Sequence, residues 1–302
     1  MSAVGGRRVE NPQTEYAASH DLWHPSQWAR FVWGLCSNLA VQIQILRALA
    51  KPAFHDSLRA NPSLPFHYLN RNFLVRDITI SQRASSLLHH YKRIHSSFPN
   101  QTLHEILAGG LTVYENCCDG NCFRVTLGSA GEIYWEGDLS LSLKVNGVVV
   151  YVLSFSIIPG SVAGVLADEV VFIARLQGVK GRENEVRLAT KSMLDVAPPA
   201  LLVAALQGIA AAMGINVMAG TCAIRQSSYL PEQDSFFQDA YDDFFATLGA
   251  TMNSACFFWS LLPVEEKPLP LLRKGHKIRA RKKREFKRRV ANSVAHAILQ
   301  IG

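Results

Sequence analysis

The stretch "LSLSLKVNGVVVYVLSFSII" (139–158) restricts the fold more than any other. Leu139, Leu141, Leu143 and Val145 alternate with Ser140, Ser142 and Lys144, the period of a half-buried strand. Asn146-Gly147 then supplies two residues that accept positive φ, as a two-residue hairpin turn requires, and a β-branched run leads back. "CFRVTLG" before this hairpin and "EVVFIARLQG" after it read as further strands, so at least four consecutive antiparallel strands are expected. Beyond them the pattern predicts an apolar helix over 198–213, a strand "INVMAGTCAI", a helix "DSFFQDAYDDFFATLG", a strand "ACFFWSLLP" and a basic C-terminal helix.

Ahead of the sheet the apolar period is that of helices. Trp28, Phe31, Val32, Leu35, Leu39, Ile43, Leu46 and Leu49 predict one amphipathic helix starting at Ser26, ended by the prolines at 52, 62 and 65. A second helix is expected from about Ser81, with Ala84, Leu87, Leu88, Tyr91 and Ile94 inward, and a third over Leu103, Ile106 and Leu107. Residues 1–20 are polar and without period, which predicts disorder. The expected organisation is a disordered 1–20, a helical 21–110 and a core over 111–302. The fold class is α+β: a helical N-terminal region, then a mixed, mainly antiparallel sheet with flanking helices. Its strand order is that of GNAT-type acyltransferases. With 302 residues, 48% of them hydrophobic, the chain can bury a sizeable core.

The net charge of +7 is local. Residues 273–290 hold eleven Lys or Arg against one acid, Glu285, so this segment carries +10 and the remainder −3. Ile278, Phe286, Val290, Val294 and Ile298 form an apolar seam through it, which predicts a docked helix with Arg281, Lys282, Lys283, Arg284, Lys287 and Arg288 turned to an anionic surface. Lipid headgroups, an acidic partner or a phosphate backbone would all fit. Only Phe286 interrupts the cations, which disfavours single-stranded nucleic acid read by stacking.

No apolar segment with a cleavage site follows the N-terminus, so a cytoplasmic, reducing setting is expected, and with it no disulfide among the six cysteines. "PPALLVAALQGIAAAMGINVMAG" (198–220) is uncharged and long enough to span a bilayer. Its two prolines, Gln207, Asn216 and the Met213-Gly214 stop predict instead a buried helix followed by a buried strand, and no transmembrane segment is expected.

Few motifs carry chemistry. "CCDGNC" (117–122) lacks the spacing of a tetrahedral site and reads as cysteines flanking an Asp-Gly turn; His89, His90 and His95 do not share a helix face, and no metal is expected. Asp239, Asp242 and Asp243 read as solvated acids opposite a Phe236, Ala240, Phe244 core stripe, with Asp242 one candidate general base. "RLQGVKGR" (175–182) leaves a strand with two glycines and is a candidate anion-binding loop. In GNAT-type enzymes the equivalent loop binds the pyrophosphate of acyl-CoA. Arg175, Gln177, Gly178, Lys180, Gly181 and Arg182 would do so here, although Lys180 stands where a second small residue is usual and the apolar helix starts some fifteen residues late. Glu136 is the other candidate base.

The succession "EGDLSLSL", "YVLSFSI", "FIARLQGVKG", "VRLATK", "YDDFF", "LLP" and "KKREFKRR" resembles the VirK/YbjX-like bacterial proteins, a domain-of-unknown-function family with a virulence-associated member. The likeness runs from about residue 65 to 295 and covers Glu136, Gly137, Gln177, Gly178, Thr190, Lys191, Tyr241, Asp242, Lys282, Lys283 and Arg288. The resemblance implies an accessory factor for virulence, envelope remodelling or resistance to antimicrobial peptides, cytoplasmic or peripheral at the inner membrane. An acyl-CoA-dependent acyltransferase and a nucleic-acid-binding regulator are the alternatives. The resemblance itself fixes no cofactor.

Overall fold

In a computed structural model of the protein the 139–158 stretch forms the expected hairpin, with Asn146 (φ 50°) and Gly147 (φ 87°) at its turn. The structure describes residues 25–130, 136–266, 268 and 277–302, and the expectation for 1–20 lies outside them. The chain divides into two units, residues 1–37 and 38–302. The described part of the first is the helix α1 (Pro25–Ser37).

The second unit holds the helices α2 (Leu39–Leu49), α3 (His55–Ala60), α4 (Ile80–Ser97) and α5 (Asn100–Ala108) ahead of the sheet. The single helix expected over 26–49 is therefore two, parted at Asn38, whose φ of −122° leaves helical geometry. Of the inward stripe expected on α2 only Leu49 is buried. Leu39, Ile43 and Leu46 are exposed, while Gln42, Ile45 and Leu49 are buried, because α2 has two apolar stripes and the contact with α4 selects one. Thr79 begins α4 with a capping box: its hydroxyl accepts the Gln82 N–H and the Gln82 side chain accepts the Thr79 N–H.

Eight strands form one sheet: β1 (Leu111–Cys118), β2 (Asn121–Ser129), β3 (Leu139–Val145), β4 (Val148–Pro159), β5 (Glu169–Gly178), β6 (Val217–Thr221), β7 (Thr251–Met252) and β8 (Phe257–Leu261). Their spatial order is β1-β2-β3-β4-β5-β6-β8-β7, antiparallel throughout except for β5 beside β6. The parallel step demands a crossover, supplied by α6 (Glu183–Ser192) and α7 (Pro198–Ala212). Leu153 to Ile158 on β4 are all buried, so the strand has lost the alternation of a one-sided sheet; α4 and α7 both pack on it. The uncharged 198–220 stretch is the expected buried helix and strand, and no described helix is long and apolar enough to cross a membrane.

Residues 234–247 form α8, which contains a π-turn over Gln238–Asp243. Phe237, Tyr241 and Phe245 face inward instead of the expected Phe236, Ala240 and Phe244. The reason lies on β6: a Cβ on Gly220 would stand 2.1 Å from the Phe245 ring, so the glycine leaves the slot that this phenylalanine fills. The last helix, α9 (Lys277–Ile301), crosses α7 where Gly208 admits it, a Cβ there being 2.3 Å from the Ala291 carbonyl. Phe286, Val290, Val294 and Ile298 form its buried seam, whereas Ile278, expected in it, is exposed.

One expectation about cysteines is corrected. The turn at Asp119 (φ 50°) and Gly120 (φ 74°) puts Cys117 opposite Cys122 with Cα atoms 4.2 Å apart, and the two form a disulfide. Glu115 flanks the pair, its ligand atom and both sulfurs lying within 4.8 Å of one another; closed as a disulfide, the sulfurs offer no thiolate to a metal.

Candidate functional site

The sheet parts at β5. Val171, Phe172 and Ile173 pair with Met218, Ala219 and Gly220, after which β6 ends at Thr221 while β5 runs on to Gly178 without a strand on that side among the described residues. A bulge at Ala174 re-aims the residues that follow: Ile173 pairs with Phe155, but Arg175 pairs with Ser154. Facing the gap, the Leu176 N–H donates to the Tyr241 hydroxyl at 3.3 Å. Tyr241 comes from the π-turn of α8 and is almost fully buried. Burial and the nearby Glu136 carboxylate push its phenol far above the usual tyrosine range, so it remains protonated.

Glu136 lies beside this gap and is 3% exposed. The next residue, Gly137, has φ 116° and passes so close to β4 that a Cβ would be 3.0 Å from the Phe155 nitrogen. That approach fixes where the glutamate emerges. Its Oε2 is 3.3 Å from Arg175 Nε, and its Oε1 accepts from Gln226 Nε2 and the Ser228 hydroxyl, each at 2.5 Å. Arg175 also donates through Nε and Nη2 to Gln177 Oε1 at 3.1 and 2.9 Å. A buried carboxylate ringed by a guanidinium and two further donors is held in one orientation.

The other expected residues fall elsewhere. Asp242, next to Tyr241, turns to accept the Ala223 N–H at 2.8 Å; burial raises its pKa, and that hydrogen bond works against the rise. Asp239 and Asp243 are exposed. Gly178, Lys180 and Gly181 lie exposed at the end of β5, where Glu183 accepts the Gly181 N–H at 3.1 Å and Arg182 pairs with Glu185 at 3.0 Å. On α9, Arg284 and Lys287 both reach Glu266 at 2.5 Å, Arg281 is 3.6 Å from Glu285, and Lys282, Lys283 and Arg288 have no acidic partner among the described residues.

Two neighbours of the site escaped the sequence. Gln226 and Ser228 lie 90 and 92 residues from Glu136, in a segment with no glycine or motif signature. A second buried acid, Asp138, accepts the Ser156 hydroxyl at 2.6 Å on one oxygen, and burial pushes its carboxyl up to about 6. His90 accepts the Ile157 N–H at 3.1 Å, and burial lowers its imidazole to about 3, which keeps it neutral.

The molecule is thus a mixed-sheet α+β protein with a buried Glu–Arg–Tyr cluster where its only parallel strand pair, among the described residues, comes apart. Residues 25–293 match the family described as "Protein of unknown function (DUF535)", and the chain belongs to that family. No curated protein and no solved structure matches it.

Proposed function

We propose that this chain is an acyl-CoA-dependent acyltransferase with a GNAT-like sheet. The observation that carries the reading is the parting of β5 from β6 after three residue pairs, beside buried Glu136 and the Tyr241 hydroxyl. Acyl-CoA supplies an activated thioester. The Leu176 N–H, released from Tyr241, donates to the thioester oxygen, where negative charge develops as the carbonyl is attacked. Glu136 receives the proton of the attacking amine or hydroxyl, with Asp242 the alternative base. Tyr241, kept protonated by burial, gives its proton to the departing sulfur. Gly178, Lys180, Gly181 and Arg182 meet the pyrophosphate at the exposed strand end, Glu183 yielding the Gly181 N–H, while Arg175, itself held by Gln177, holds Glu136 in place. Millimolar acetyl-CoA or a longer acyl-CoA should raise the melting temperature of the full chain, and release of free CoA thiol should be lost in Glu136→Gln and Tyr241→Phe. Absence of any stabilisation by CoA or its thioesters sinks this reading.

A second reading keeps the VirK-like expectation: an accessory factor for the bacterial envelope or virulence, cytoplasmic or peripheral at the inner membrane, meeting anionic lipid through α9. It is supported by Lys282, Lys283 and Arg288 lying free of acidic partners among the described residues on a helix whose other side is docked. Co-sedimentation with anionic but not neutral vesicles, abolished by joint Lys282→Glu and Lys283→Glu substitution, is the expected result. Steeply salt-dependent binding to nucleic acid without vesicle binding would turn the same face to the regulator alternative.

A further inference from the structure

Away from the parting of β5 and β6, the loop 70–79 and the segment 224–229 border a solvent-open cavity of about 730 Å³. Arg71, Arg76, Asp77, Arg83, Ile224 and Tyr229 line it. We propose that this cavity binds a phosphoryl group, carried either by a soluble organic phosphate or by a lipid headgroup.

Arg83 is the anchor. It projects from the first turn of α4, is 9% exposed, and is held by Nε to the Tyr68 carbonyl at 2.8 Å and by Nη1 to the Ile78 carbonyl at 2.6 Å. Its Nη2 has no acceptor among the described residues. Arg76 is fixed in the same way, donating to the Ser227 carbonyl at 3.1 and 3.3 Å and to the Tyr229 carbonyl at 2.7 Å, with its guanidinium 5.8 Å from the centre of the Tyr229 ring. Arg71 stands exposed at the rim, near enough to Arg83 that its charge, added to burial, disfavours the Arg83 cation.

None of the three lies within ion-pair distance of a carboxylate among the described residues, and Asp77 is the only acid in the wall. Elsewhere in this unit partly buried arginines do meet acids: Arg93 with Glu169, Arg175 with Glu136, Arg284 with Glu266. Three arginines share this wall with one acid, Asp77, so positive charge is in excess, and the carbonyl acceptors satisfy hydrogen bonds of Arg76 and Arg83 without neutralising them. A tetrahedral phosphoryl group would supply the missing charge, and planar guanidinium forks are the side chains best suited to hold its oxygens. Exposed Ile224 and the Tyr229 ring offer an apolar wall for the group that bears the phosphate.

The cavity also has a direct connection to the buried glutamate. Gln226 and Ser228 hold Glu136, while the carbonyls of Ser227 and Tyr229, on the same short segment, hold Arg76. The phosphoryl site stands independently of the acyltransferase reading.

The test uses the full chain in a phosphate-free buffer. Inorganic phosphate, pyrophosphate and glycerol 3-phosphate are titrated against chloride at matched ionic strength, with melting temperature as readout. Phosphatidylcholine vesicles with and without phosphatidic acid form the lipid arm. Saturable stabilisation by the soluble phosphates, or retention on phosphatidic acid vesicles alone, is expected, and which arm responds identifies the source. Arg71→Ala should weaken that binding about tenfold, the size of one charge-assisted hydrogen bond, with its melting temperature unchanged or slightly raised when no phosphate is present. Vesicle retention through the cavity should survive Lys282→Glu with Lys283→Glu. If no phosphate or vesicle binds, or if Arg71→Ala and Arg83→Lys both bind like the wild type, the proposal is overturned. Acetyl-CoA stabilisation measured in Arg71→Ala separates failure of this site from failure of the acyltransferase reading.

Discussion

Two arginine-bearing regions of this molecule handle charge in opposite ways. The C-terminal helix α9 carries the dense run that dominates the sequence, yet its inner cations are compensated: Glu266 takes both Arg284 and Lys287, and Glu285 stands by Arg281. The cavity beside α4 draws single arginines from positions 71, 76 and 83, in a stretch that looks unremarkable, and leaves them without an ion-paired carboxylate among the described residues. Density of charge along a chain therefore says little about where charge is left unsatisfied. A run on one helix spreads outward into water, where each cation is solvated, whereas buried Arg83 and half-buried Arg76 line one wall, where repulsion is screened less than on an exposed helix face. Buried acids show the same contrast, with Glu136 surrounded by three donor groups and Asp138 left with one oxygen unbonded.

The largest expected effect removes the docking that turns the α9 run outward. Gly208→Val forces side-chain atoms against the Ala291 backbone and should destabilise the unit by about 3 kcal/mol in urea unfolding. A loss under about 1 kcal/mol would mean that α9 does not depend on this crossing.

Asp138→Asn tests the contrast between the acids. Because burial raises the folded pKa from 3.8 to about 6, the stability Asp138 contributes is present in full below about pH 4 and is lost as pH rises through about 6. The asparagine variant should be more stable at pH 7 by about 2 to 3 kcal/mol and should show a flatter profile between pH 4 and 6. An unchanged slope of unfolding free energy against pH would show that Asp138 does not titrate in this window.

Glu266→Gln leaves Arg284, at 16% side-chain exposure, and Lys287, at 28%, without their shared carboxylate. The expected loss is about 1 to 2 kcal/mol, larger than for a solvated pair and smaller than for a fully buried one, and it should persist in high salt. The smallest effect has the opposite sign. Arg71→Ala, in the absence of any anion, should leave stability equal or raise it by about 0.5 kcal/mol, because it relieves repulsion on Arg83. A clear loss of stability there would show that Arg71 is compensated after all, and would erase the difference between the two regions.

Much of the sheet was legible because its signals are local. Leu139 to Ile158 carry period-two alternation and an Asn-Gly turn within twenty residues, and the buried helix and strand at 198–221 announce themselves by composition. Which stripe of a helix points inward was less legible wherever two apolar stripes compete. On α8 the choice between Phe236 and Phe237 was made by a π-turn and by the slot at Gly220, neither of which is visible in the helix's own sequence. The candidate site was legible only in part. Glu136 and Arg175 stood out as residue types near strand ends, but their pairing depends on a bulge at Ala174 and on the approach of Gly137 to β4. Cys117 and Cys122 were read as turn residues, and the two-residue turn between them is what sets them face to face.

Taken alone, the sequence determined the order of elements, the strand-rich centre, the basic last helix and membership of one family. Such properties follow from neighbours within a few residues, where backbone period, turn chemistry and side-chain polarity act directly. Only the tertiary structure decided that β5 outruns β6, that Gln226 and Ser228 reach Glu136, and that Arg71, Arg76 and Arg83 meet around one cavity. Those relations join residues up to 92 positions apart, and their electrostatic consequence arises from the burial that folding creates.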